Sequence, residues 1–582
     1  MNSAFPSAAV TASLDDPFYY LANFRFVLDW VAKRHGDLLN EAERDFITGF
    51  MILPRPSQAL LVRMVMRKGE HFRLAKLAYA EIGDTSAALA PLVEAGWVDP
   101  DPTLPFEVLF RQLRLAELRD ALAGEIAAAG LTSTAGKAHL YEALSPRLTE
   151  PHRLADWWPE APDRVVRLAV MATCDRLRLM FFGNLRQDWS EFVLAELGLQ
   201  RFERVPFTSS SRAFQYRHEV DAYLALHRLR ERLEEGEVPT SLYTELPDIP
   251  PDNAWLRGRR NRLLFQLGRE AERTGQLDAA VSLYAEAGQV EKGHGETGER
   301  EARIRHLRLL ERCGEHARAH ALAERALGRL AGGLGDGAEA QALERLLPRL
   351  RRRLGRPALP RAAEPDTERW SLNLSPLGLD GATRCVEIAV RDHLSRNLTP
   401  VHYVENTLLT GLFGLLCWEA LFAPLPGAFF HPFHNGPADL YREDFVARRR
   451  ERFAACLGKL ADGSYREAIR ATWQDKHGLA NPFVHWGVLD ERLIDQALAC
   501  LPAEHLRLCF ERLLGDLKAN RAGLPDLVQF LPEASGGEPR YRFIEVKGPG
   551  DRLQDNQRRW LAFFHRHAMP AVVCHVTWQA EP

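Results

Sequence analysis

At ~100 to 200 residues per domain, 582 residues make roughly two to four domains, and a make-up of 46% hydrophobic and 26% charged residues excludes a disordered or fibrous chain. Seventy-five basic against 78 acidic residues leave a net charge of −3, so any nucleic-acid surface has to be a local patch. The eight cysteines (Cys174, Cys313, Cys385, Cys417, Cys456, Cys500, Cys509 and Cys574) form no CxxC pair and no Cys/His ladder, and are expected as buried thiols of a reducing compartment. The first 18 residues lack a basic start followed by an apolar stretch, so the expected location is the cytoplasm.

From Pro17 to about Asp99 apolar positions such as Leu60, Met64, Met66 and Leu74 recur among basic ones, and Gly96-Trp97-Val98 is suited to closing a small wing. Residues 1–105 are read as a helical N-terminal domain, either winged-helix-like and DNA-binding or a plain bundle. Leu115-Ala116-Glu117-Leu118-Arg119, Gly130-Leu131-Thr132 and Gly136-Lys137 through Leu144 resemble the SAP motif, in which a helix N-terminus and a lysine, here Lys137, meet the DNA backbone. The bland alternative for 106–150 is a helical hairpin with glycine caps. Residues 151–254 are expected as a helical linker region.

Arg273-Thr274-Gly275-Gln276-Leu277-Asp278-Ala279-Ala280 is echoed 39 residues later by Arg312-Cys313-Gly314-Glu315-His316-Ala317-Arg318-Ala319. That spacing is a tetratricopeptide unit of ~34 residues lengthened by about five, assigned to the Gly293–Thr297 loop. Two units need flanking helices to complete a stack, so 255–365 are read as helical repeats. The Pro- and Ala-rich stretch Arg356 to Asp366 then marks a boundary before a separate domain at 366–582.

In that domain Gly523 to Phe530 and Arg540 to Lys547 read as strands bounded by glycine and proline. Alternation sends Ile544 and Val546 into the core and turns Glu545 and Lys547 to the other face. Asp526 comes to lie beside Glu545 if the strands pair through the Pro532 to Pro539 loop. Two adjacent carboxylates repel unless a divalent cation sits between them, and oxygen ligation suits Mg²⁺ or Mn²⁺. Such an ion with a nearby ammonium is phosphodiester hydrolysis chemistry. The apolar stretch Thr407 to Phe422 is too short and too interrupted by Glu419 to span a membrane, and is expected as a core helix.

Glu545-Val546-Lys547-Gly548-Pro549, Asp551-Arg552-Leu553 and Asn556-Gln557 to Trp560 resemble the VRR-NUC branch of the PD-(D/E)XK nuclease superfamily, and within it the Fanconi-anaemia-associated nuclease family. The resemblance implies a multi-domain, mostly α chain ending in a restriction-endonuclease-like α/β domain. It implies a structure-selective DNase with 5′-flap endonuclease and 5′ to 3′ exonuclease activity in interstrand crosslink repair. Its partner would be branched or flapped DNA with a 5′ end, engaged by a bacterial, nucleoid-associated monomer with room for protein partners on the repeats. Lys547, Glu545 and Asp526 are the implied catalytic set, with Gln557 as auxiliary, and Val546 joins Asp526 and Glu545 as a metal ligand. A third acidic ligand is expected from an upstream helix. Thr399-Pro400 reads as its start, with Val401, Val404, Leu408, Leu412 and Leu415 continuing, and at ~100° per residue Glu405 falls on their apolar face. Lys518, Arg521 and Arg552 flank the motifs as phosphate contacts. His431 and His434 with Asp439 are read as packing or substrate residues. A junction resolvase and a non-catalytic repeat scaffold are the alternatives; the long helical half argues against the first, and intact acidic residues against the second.

Overall fold

The structure is a computed structural model describing residues 16–132, 134–189, 191–192, 201–208, 211–250, 253–289, 300–330, 337–358, 367–376, 383–442, 444–534 and 538–579. The Gly293–Thr297 insertion and most of the 356–366 linker fall outside them. Contacts divide the chain into two units, the first comprising residues up to 200, 206–220 and 430–433, and the second the remainder.

In the first unit, helices Tyr19–His35, Glu41–Ile52, Arg55–Val65 and Met171–Phe182 share an aromatic core in which Phe24 meets Phe50 at 5.1 Å and Trp30 meets Phe181 at 5.8 Å. Asn40 and Glu43 close a capping box at the start of the second helix. The buried Glu43 carboxylate is then compensated by Arg176 and Arg217, each at 2.6 Å. Strands β1 (His71–Arg73), β2 (Val98–Asp99), β3 (Thr103–Leu104), β4 (His152–Arg153) and β5 (Val165–Leu168) make two small antiparallel sheets. At Gly96-Trp97-Val98, the segment expected to close a small wing, β2 begins with Val98. Gly96 turns with φ +69°, Trp97 lies on Phe46, and Val98 pairs with Leu168. The central strand of that sheet, β5, comes from the stretch expected as helical linker.

Between β3 and β4 in the chain, helices Leu115–Ala121, Ala123–Ala128 and Lys137–Leu144 bury Leu118, Ile126, Leu140 and Leu144 against Phe106, Phe110 and Trp157. Pairing of β3 with β4 joins the two ends of this SAP-like segment.

The second unit contains helical hairpins: Ala254–Arg273 with Leu277–Ala287, then Arg300–Arg312 with His316–Leu330. The repeated glycines, Gly275 (φ +81°) and Gly314 (φ +82°), make equivalent left-handed turns between the paired helices. Helices Pro239–Thr244 and Gly337–Arg353 flank the stack, and Leu242 and Leu347 enter its cores. In the same unit, Arg345 of the last repeat helix pairs with Asp555.

The C-terminal sheet contains β6 (Glu368–Leu374), β7 (Val401–Tyr403), β8 (Leu527–Phe530), β9 (Tyr541–Lys547) and β10 (Ala571–Trp578) in the order β6-β10-β9-β8-β7. β10 runs parallel to β6 and β9, while β8 is antiparallel to β9 and β7. One face packs Leu527, Ile544, Val546, Val572 and Cys574 against Ala389 and Val390 of helix Val386–Leu394. On helix Asp555–Arg566, Phe564 stacks on Phe543 at 5.1 Å.

Two expectations are corrected. No helix starts at Thr399-Pro400: Val401, His402 and Tyr403 form β7, opposite Gln529, Val528 and Leu527, and the helix begins only at Leu408. Edge pairing with β8 outweighs the apolar periodicity. The core stretch is accordingly two helices, Leu408–Leu416 and Trp418–Leu421, with Glu419 exposed. The cysteines are all free, but Cys313 and Cys385 are exposed and six are buried. Among the described residues no helix is long and apolar enough to cross a membrane.

Candidate active site

Register alone brings the acidic pair together. Leu527 stands opposite Ile544, so Asp526, one residue before β8, faces Glu545. Asp526 Oδ2 accepts the Val546 N–H at 2.8 Å, which fixes its carboxylate across the strands. Lys547, two positions beyond Glu545 on the same face, places Nζ 2.7 Å from Glu545 Oε1. All three side chains are buried: Glu545 is 1% exposed, Asp526 7% and Lys547 8%.

Burial raises the proton affinity of both acids. Desolvation lifts Asp526 to about 6 despite the Val546 hydrogen bond and the charge of Lys547. Desolvation first, and then the Asp526 charge, lift Glu545 to about 8 against the ammonium of Lys547.

Glu405 is exposed in the turn after β7, not buried on a helix face as expected. The strand still delivers it. The Val404 N–H donates to the Asp526 carbonyl at 2.8 Å, and the Glu405 charge raises the pKa of both Asp526 and Glu545. Its carboxylate accepts the Tyr403 hydroxyl at 2.5 Å on Oε2 and the Asn406 amide at 3.3 Å on Oε1.

A fourth carboxylate escaped the sequence reading. Glu387, in the first turn of helix Val386–Leu394, lies close enough to raise Asp526 and the Tyr403 hydroxyl. Its signal was available: it precedes the buried Ala389 and Val390 on a short helix placed just before the first strand of the acidic site.

The remaining expected residues fall into different settings. Gln557 spends its side-chain oxygen on the Gln554 N–H at 2.8 Å, in the capping box of helix Asp555–Arg566. Arg521 is held by the Tyr441 hydroxyl and the Pro482 carbonyl. Lys518 is exposed and 3.7 Å from Glu301, and Arg552 is exposed. Lys137 donates to the Leu113 carbonyl at 2.8 Å. His431 is buried in the first unit and stacks on Phe181 at 5.4 Å, and in the second unit Asp439 is paired with Arg448 and Arg449, so these are packing residues.

The pair fits a hard divalent cation. Glu545 Oε1 is buried with the Lys547 ammonium 2.7 Å away as its only compensation, and a second carboxylate adjoins it. One ammonium serves two acids, and a cation supplies the remaining compensation. Among the described residues no three His, Cys, Asp or Glu side chains are gathered as an ion's complete ligand set, so Asp526 and Glu545 need further donors.

The VRR-NUC domain family matches residues 460–578, the stretch carrying β8, β9 and β10, which makes this end of the chain a VRR-NUC nuclease domain with a divalent-metal requirement. The HTH domain of FAN1 matches residues 18–99, and the Fanconi anemia-associated nuclease SAP domain matches 103–157. A Fanconi-associated nuclease 1 homolog of Pseudomonas aeruginosa is 51% identical over 576 residues, 99% of each chain. The chain belongs to the Fanconi-associated nuclease family. A homolog from Oryza sativa is 25% identical over 96% of this chain and 62% of its own, and human Fanconi-associated nuclease 1 is 32% identical over 177 residues, 30% of this chain and 17% of its own. A crystal structure of paFAN1 bound to 5′ flap DNA with a two-nucleotide flap and a gap superposes with a TM-score of 0.88 at 51% identity, covering 98% of this chain and 100% of that one. A one-nucleotide-flap complex gives 0.87 over 97% and 100%.

Proposed function

We propose that this nuclease hydrolyses phosphodiester bonds of branched DNA near a 5′ flap, with 5′ to 3′ exonuclease action, in interstrand crosslink repair. The observation that carries the reading is the buried Asp526–Glu545 pair beside Lys547, in a chain that follows a flap-bound relative along 98% of its length. Asp526, Glu545 and Glu405, with the backbone of Val546, are the groups that would hold Mg²⁺ or Mn²⁺. When bound, such an ion polarises a phosphate oxygen and lowers the pKa of a water. Asp526 and Glu545 contribute their charge only once deprotonated, which the ion favours over the raised proton affinity of the metal-free pair. Lys547 offsets charge developing on the reacting phosphate and orients the attacking water from its fixed place beside Glu545.

Lys518, in the short helix Leu517–Asn520 ahead of β8, and Arg552, after β9, serve as phosphate contacts, which position the duplex without reading sequence. The N-terminal helical domain (1–105) and the SAP-like segment (106–150) grip the DNA arms, the repeats (255–365) are open to protein partners, and the protein works as a monomer on DNA in the cytoplasm, at the nucleoid. The test is cleavage of labelled 5′-flap, 3′-flap, splayed-arm and four-way substrates with Mg²⁺, Mn²⁺ or EDTA. Cutting only with a divalent cation, and most efficient on the 5′-flap substrate, is expected. Cation-independent cutting, or equal cutting of all four, overturns the reading.

A further inference from the structure

Glu405 and Asp526 are distant in the chain, and one side chain bonds toward both. Asn406 stands between β7 and helix Leu408–Leu416 at φ +53°, in the left-handed region that a short amide tolerates better than most side chains. Its Nδ2 donates to Glu405 Oε1 at 3.3 Å, and its Oδ1 accepts the Leu524 N–H at 3.0 Å, 118 residues away. Its carbonyl accepts the Thr410 hydroxyl at 2.6 Å, tying the turn to the helix that follows. Leu524 lies two residues before Asp526. Gly523, just ahead, is pressed so close to Asn556 that a Cβ would stand 2.7 Å from it. The segment that delivers Asp526 is thus held by Asn406 through its backbone and by close packing on Asn556.

We infer that Asn406 is a positioning residue of the acidic site: one amide sets the Glu405 carboxylate in register with the strand entry that carries Asp526, so that the two acids meet a divalent cation together. This rests on the metal-binding reading of those acids. Each half of the amide has its own task. The nitrogen orients Glu405, and the oxygen anchors Leu524. Tyr403 holds the other Glu405 oxygen, so loss of the Asn406 donor leaves the carboxylate tethered on one side only. Groups that orient metal ligands from behind typically set metal affinity over ~10- to 100-fold.

The variants separate these tasks. Asn406→Gly tolerates φ +53° without strain and removes both side-chain bonds. Asn406→Asp keeps the acceptor for Leu524, loses the donor to Glu405 and sets a like charge beside it. Melting temperature is followed across a Mn²⁺ series without DNA, and flap cleavage across the same series. Both variants are expected to need about 10-fold or more Mn²⁺ for half of the melting shift. Cleavage should show the same displacement, with turnover largely recovered at saturating Mn²⁺ and DNA affinity in EDTA unchanged. Half-saturation at the wild-type Mn²⁺ concentration in Asn406→Asp overturns the orienting role, whatever Asn406→Gly does, and should Asn406→Gly fail to fold, Asn406→Asp decides. A wild-type protein whose melting ignores Mn²⁺ sinks the metal reading and this one with it. A responsive wild type with unmoved variants sinks this one alone.

Discussion

Glu545→Gln should stabilise the metal-free protein while abolishing cleavage. The Glu545 carboxyl is raised from its ordinary 4.5 to about 8 by desolvation and by Asp526, so the folded protein holds its proton more tightly than the unfolded chain does. The corresponding stability is fully present below pH 4.5 and is lost as the pH rises toward 8. At ~1.36 kcal/mol per unit, the cost at pH 7.5 is on the order of 4 kcal/mol. A neutral glutamine escapes that cost and still offers an oxygen to Lys547, whose attraction for the carboxylate is already contained in the raised value. A net gain of about 2 to 4 kcal/mol, or roughly 4 to 8 °C in melting temperature, is therefore expected in EDTA at pH 7.5. The assay is thermal melting of both proteins in EDTA from pH 4.5 to 8, repeated with Mn²⁺. The gap should close toward pH 4.5, and Mn²⁺ should raise the wild type well above the variant's response. A variant that melts at or below wild type at pH 7.5, or a gap that does not change with pH, would refute the argument that a buried carboxylate only partly compensated by Lys547 strains the site.

Other substitutions test the remaining parts. Lys547→Ala should lower turnover by about 10²- to 10³-fold while flap affinity, measured in EDTA, stays within roughly threefold; equal losses in both would make Lys547 a binding residue. Glu387→Gln removes a charge that raises Asp526, so the acid limb of the kcat/KM profile should move to lower pH, and an unmoved limb would place Glu387 outside the site's field. Lys518→Ala and Arg552→Ala should each flatten the slope of log affinity against log salt by ~0.9 per lost phosphate contact. Arg521→Ala, whose guanidinium is already bonded to Tyr441 and Pro482, should leave the slope unchanged and lower the melting temperature.

What the sequence could disclose depended on whether the deciding interaction was local. Glycines and prolines bounded the two central strands, and strict alternation put Ile544 and Val546 in the core and Glu545 and Lys547 opposite, where the structure has them. The glycine echo at 275 and 314 likewise identified the hairpin turns, because a left-handed turn is written in one residue. Charge identity was legible for Lys137 and Arg521, but not where each charge would be spent, since the Leu113 and Pro482 carbonyls that bind them belong to other segments.

Glu405 shows the limit most clearly, because the residue was singled out on a geometry that does not exist. Helical periodicity from Val401 to Leu415 placed it on a buried face, whereas Val401 to Tyr403 pair with β8 and leave it exposed in a turn. Periodicity is a property of one segment, while the choice between helix and edge strand is made by a partner more than 120 residues away. The same long-range pairing that defeated the helix is what brings Glu405 to Asp526, through the Val404 N–H on the Asp526 carbonyl. An acidic site assembled from a strand end, a turn and a second strand can therefore be recognised one residue at a time from sequence, but its assembly rests on backbone register. The substitutions with most leverage on the metal are accordingly expected at positions such as Asn406, which carry that register, as well as at the acids themselves.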